Sequence, residues 1–115
     1  MTDRQKLPGR RPSSTEKLIF SGQTYHIGFG YHPESGKVLE VFGTSAKLSS
    51  DIGFQIADAC VIISLALQHG AEPSVLAKSL HREPGIGGEL GPASVIGAVI
   101  DLIVETENKT RTGET

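Results

Sequence analysis

The chain has 115 residues, enough for one domain with one modest core. Eleven Lys and Arg against thirteen Asp and Glu give a formal net charge of -2, which excludes a bulk electrostatic attraction to nucleic acid. A single cysteine, Cys60, excludes an internal disulfide and suits a reducing compartment.

Residues 1–16 read as a disordered basic arm. Arg4, Lys6, Arg10 and Arg11 interleave with Pro8, Gly9, Pro12, Ser13 and Ser14, a composition unable to pack a core. The segment lacks the apolar stretch of a signal sequence, and its cations come without aromatic residues that could stack on bases, so nucleic acid is not an expected partner. The ordered domain is expected over 17–105, and Lys17, Leu18, Ile19 and Phe20 offer an edge strand at its start. Over 24–31 the residues Tyr25, Ile27, Phe29 and Tyr31 alternate with His26, Gly28 and Gly30, which predicts a half-buried strand with its aromatic face on the core. Pro33, Glu34, Ser35 and Gly36 form a turn, and Lys37, Val38, Leu39, Glu40, Val41 and Phe42 complete an antiparallel hairpin.

Beyond Phe42 the apolar period changes from two to about 3.6 residues. Ser49 or Ser50 caps a helix, and Asp51 sits at the positive end of its dipole. Ile52, Ile56, Ala59, Ile63 and Ala66 make one stripe, while Phe54, Val61, Ile62, Leu65 and Leu67 fill most of the remaining perimeter. A helix of this kind is expected to be wrapped by protein on most sides and to mark the surface where a partner docks. Its apolar run over 61–67 is broken by Ser64 and falls short of the roughly 20 residues that span a bilayer, which predicts a cytoplasmic protein without membrane contact. Gly70 ends the helix, and Pro73 opens a short one through Leu80 with Val75, Leu76 and Leu80 inward. The glycine-rich stretch 84–91 is expected to be irregular. Pro92 then starts a last helix that buries Val95, Ile96, Val99, Leu102 and Ile103, and residues 106–115 form a disordered polar tail. The predicted fold is α+β: a small antiparallel sheet of two or three strands followed by three helices packed on one face.

The segment SLALQHGAEPSVLAKSL, preceded by a strand ending in FGTSAK and followed by a glycine-rich turn before a final helix, resembles the TSCPD domain family. That module sits near the C-terminus of adenosylcobalamin-dependent ribonucleotide reductases and also occurs as small stand-alone proteins. The resemblance covers about residues 24–102 and is densest over 63–80. It implies a domain that keeps a docking surface, with a ribonucleotide reductase or a second copy as partner, in deoxynucleotide metabolism or a DNA-linked setting. Where the family carries its naming motif, this chain has Glu89, Leu90, Gly91, Pro92 and Ala93, so only the proline is kept and roles for the thiol and carboxylate do not carry over.

Residue inventory limits the chemistry further. Cys60 lies in the middle of an apolar helix, where a thiol is unreactive. His26 and His32 share a strand face but stand about 20 Å apart, too far to hold one metal, and no ligand spacing predicts a metal or cofactor. One cysteine cannot supply the redox pair of a reductase, so no autonomous activity is expected even though the resemblance carries a ribonucleoside-diphosphate reductase label. Gly85, Gly87, Gly88 and Gly91 follow a helix rather than a strand and do not fit a dinucleotide fingerprint. The strand-loop-helix over 44–51 brings Thr44, Ser45, Lys47, Ser49 and Ser50 to a helix start, a candidate site for a nucleotide or phosphate, although ordinary capping accounts for the same residues. Two readings remain: an association module whose partner is a second copy or another protein, and a small-ligand binder at 44–51.

Overall fold

The computed structural model describes residues 4–45 and 51–112. Its elements are β1 (Ser13–Phe20), β2 (Gln23–Tyr31), β3 (Val38–Ser45), α1 (Asp51–Gln68), α2 (Pro73–Ser79), β4 (Arg82–Pro84), β5 (Leu90–Pro92) and α3 (Val95–Thr112). β1, β2 and β3 form an antiparallel meander in that order, followed by the helices, which is the α+β arrangement that the periodicities predict.

The first hairpin turns through Ser21 and Gly22, both at positive φ (50° and 75°), so that Phe20 faces Gln23. A turn with two such residues matches the right-handed twist of the strands it joins. β1 begins at Ser13 rather than Lys17, with Ser13 opposite Gly30 and Glu16 opposite Ile27. The reason is that a ladder needs backbone groups, not apolar side chains. The arm expected to be disordered is, from Arg4 onward, laid on the fold. Leu7 packs against the core, the Gln5 amide donates to the Gln68 carbonyl (2.6 Å), and the Tyr31 amide donates to the Pro12 carbonyl (3.0 Å).

Alternation in β2 buries Tyr25, Ile27 and Phe29, which meet Leu39 and Val41 of β3 on the same face. Ile56, Cys60, Ile63 and Leu67 of α1 and Val99, Ile100 and Ile103 of α3 close the core over them. α1 lies along β3, and Gly43 permits that approach: a Cβ there would stand 2.8 Å from Cys60 Sγ and 3.2 Å from Ile56 Cγ1. Gly70 closes α1 at φ 96°, as the sequence predicts, with the Ala71 amide donating to the Ala66 carbonyl (2.9 Å).

Several expectations need correction. α1 is not wrapped on most sides. α2 packs chiefly on α3, so only the side of α1 carrying Gly53, Ile56, Cys60, Ile63 and Leu67 is covered, together with Gln68 at its end. α1 is also long and apolar enough to cross a membrane by length and composition, which the short run 61–67 did not suggest; its covered side is nonetheless committed to β3. Val75 of α2 and Ile96 of α3 are exposed rather than inward. The stretch 84–91 is regular at its ends, where β4 and β5 form a hairpin whose turn is closed by the Gly85 amide on the Glu89 carbonyl (2.9 Å). Pro92 belongs to β5, and Ser94 caps α3 instead by accepting from the Gly97 amide (3.1 Å). α3 continues to Thr112 through the region expected to be a tail, and Glu107 there accepts from the Val38 amide (2.8 Å). Polar residues hold this end by satisfying a strand backbone, a contact that no apolar pattern announces.

Candidate interaction surface on α1

β3 is a margin of the sheet, and margins present unpaired amides and carbonyls to any passing strand. Here α1 supplies the missing partners. Ser64 Oγ accepts from the Val41 amide (2.9 Å) and lies 3.2 Å from the Val41 carbonyl and 2.8 Å from the Cys60 carbonyl, either of which its proton can reach. One helical turn on, Gln68 Nε2 donates to the Leu39 carbonyl (2.9 Å), while Gln68 Oε1 accepts from Arg4 Nε. Two polar side chains spaced i, i+4 in an apolar helix thus occupy the strand margin at Leu39 and Val41. Strand addition by a partner is blocked at those residues.

The opposite side of α1 has no such partners. Phe54, Val61, Ile62 and Leu65 expose 59%, 58%, 67% and 40% of their surface. Phe54, Val61 and Leu65 follow one another at i, i+7 and i+11 on one side of the helix, with the exposed carboxylate of Asp58 at i+4 between Phe54 and Val61. Between this stripe and β3 runs an open groove of about 370 Å³, lined by Arg4, Phe42, Thr44, Ala57, Val61 and Leu65 among others.

The predicted anion loop is only partly visible. Thr44 is exposed near the end of β3 and Asp51 opens α1, whereas Lys47, Ser49 and Ser50 lie outside the described residues, as does the side chain of Ser45. Asp51 places a carboxylate at the positive end of the helix dipole, where it competes with an incoming anion. In the glycine-rich turn the Gly85 and Gly88 amides are spent on the Glu89 and Gly85 carbonyls, so they do not cradle a phosphate.

Among the described residues no group of three His, Cys, Asp or Glu could hold a metal ion. His32 serves its turn, with Nδ1 accepting from the Glu34 amide (3.2 Å). Cys60 is buried, and burial pushes its thiol up from 9.0 to about 11. Because the native state then holds the proton more tightly than the unfolded chain, the contribution is fully present below about pH 9 and is lost as pH rises toward 11. Stability should therefore fall by about 2 to 3 kcal/mol across that window. Urea unfolding at pH 8 and pH 10.5 checks this, and Cys60→Ala should lose that part of the pH dependence.

No protein-family model, no curated protein and no solved structure matches the chain.

Proposed function

We propose that this protein is a non-catalytic association module that pairs with a second copy of itself through the outer side of α1. The observation that carries this reading is the stripe of Phe54, Val61 and Leu65, with Ile62 beside it, which gathers four exposed apolar side chains on one side of a single helix, whereas the other exposed apolar residues, apart from Ile52 in its first turn, are spread over the rest of the chain. A stripe at helix-packing spacing is self-complementary about a two-fold axis, the commonest closed symmetry of soluble oligomers. The plugged margin of β3 favours helix-on-helix pairing over a continuous sheet between copies. The resemblance to the TSCPD family supports a place in deoxynucleotide metabolism, with a ribonucleotide reductase as the further docking partner of such a dimer, in the cytoplasm. Binding of a nucleotide or phosphate at residues 44–51 is the lesser reading, because Asp51 opposes it and no described side chain there forms a cradle. Sedimentation at micromolar concentration tests the proposal: a dimer is expected, and a strictly monomeric protein would overturn it.

A further inference from the structure

The three-stranded sheet contains three glycines, and the structure explains two of them. A Cβ on Gly43 would collide with Cys60, and one on Gly30 would stand 2.9 Å from Glu40 Oε1 and 3.1 Å from Leu7 Cδ1. Gly28 is different. Its Cβ would meet nothing closer than Phe42 at 3.8 Å and the Ser14 carbonyl at 3.9 Å, which are ordinary contacts, and its φ is not positive. A Cβ therefore fits at this central-strand position, where a small β-branched residue such as valine would strengthen the strand. Gly28 instead opens onto a shallow concavity of about 510 Å³ on the face turned away from the helices, which Gly30 and Arg11 also line. Gly28 is its floor, Phe42, 58% exposed, is one wall, Ser13 and Thr15 face it across the sheet, and the Arg11–Glu40 ion pair closes one end.

Charge on this face is unbalanced. Glu40 is answered by Arg11, whereas on the other side of the Gly28 row the row of Lys17, His26 and Thr44 is exposed, and Lys17 has no ionic partner among the described residues. That row lies about 7 Å farther along the strand. We propose that the Gly28 concavity binds a flat heteroaromatic ring carrying an anionic group, with the ring laid on the Gly28 backbone against Phe42 and the anion directed to Lys17 and His26. The hydroxyls of Ser13 and Thr15 are placed to bond the ring edge. Stacking on an aromatic wall tolerates many rings, so the site selects a shape and a charge rather than one base pattern.

The test uses 5′-AMP as ring plus anion, adenosine as ring alone and inorganic phosphate as anion alone, with amide shifts as the readout. Saturable shifts at Thr15, Lys17, Gly28 and Phe42 are expected with millimolar 5′-AMP, weaker ones with adenosine, and none with phosphate. Gly28→Val should melt higher than the parent and lose the shifts, and Phe42→Ala should weaken binding by about fivefold or more, the lower end of a lost base–aromatic stack. Absence of saturable shifts with 5′-AMP, equal response to phosphate alone, unchanged binding in Gly28→Val, or a Gly28→Val protein that melts below the parent would each overturn the proposal. The concavity lies on the sheet face opposite α1, but Phe42 also lines the groove beside the α1 stripe, so the Gly28→Val outcomes are the ones that stand apart from dimerisation.

Discussion

Ile63→Asp leaves the chain unfolded. Ile63 sits in the middle of α1, 6% exposed, on the side that meets β3 and the rest of the core. An aspartate there loses the apolar contacts, at about 2 to 5 kcal/mol for a large aliphatic side chain, and buries an unpaired carboxyl at a further cost of several kcal/mol. Total stability of a domain is about 5 to 15 kcal/mol, so little or nothing remains. Far-UV circular dichroism with a urea titration reads the result. A cooperative transition near that of the parent would mean that the core lies elsewhere. Glu34→Ala, in an exposed turn, is the matched control and should change stability by less than about 0.5 kcal/mol.

Ile62→Asp, the neighbouring substitution, should give the reverse pattern: an intact fold and a broken assembly. Ile62 is 67% exposed beside the Phe54, Val61 and Leu65 stripe, so its side chain leaves the core untouched. Across a two-fold seam the new carboxylate would be buried close to its symmetry mate, and truncating or charging a central interface residue commonly costs 2 kcal/mol or more, roughly a thirtyfold loss of affinity. Sedimentation should show a monomer whose melting temperature stays within a few degrees of the parent. A dimer that persists unchanged would place the interface away from α1.

The elements legible in the sequence are those whose signals are local. Alternation at Tyr25, Ile27 and Phe29 announced β2, and Gly70 with Pro73 announced the break between α1 and α2. What could not be read depends on partners far along the chain. Ser13 and Ser14 become strand because β2 offers them a ladder, and α3 holds on through Glu107 because Val38 needs an acceptor. Which side of α1 is covered follows from α2 turning to α3, and an apolar perimeter cannot show that choice. Of the predicted anion-site residues only the Thr44 side chain lies among the described residues. The strand-margin partners Ser64 and Gln68 went unrecognised, although their signal was present as two polar residues one turn apart in an apolar helix.

The way the ends of the described chain are fastened has a consequence for how the domain breathes. The meander and the packing of α1 on β3 join neighbours in sequence, whereas the Arg4 to Gln68 and Val38 to Glu107 bonds close separations of 64 and 69 residues. Long closures cost more chain entropy, and these two lie at the ends of the described chain, beyond Leu7 on one side and Ile103 on the other, which are the outermost side chains packed on or in the core. Chain ends open more readily than the core, so hydrogen exchange should pass through the segment before β1 and the last turns of α3 while the sheet and the covered side of α1 stay shut. Releasing the first of these clasps takes Arg4 away from Gln68 and leaves the groove between β3 and α1 without one of its walls, so the binding face and the most easily opened part of the molecule are neighbours.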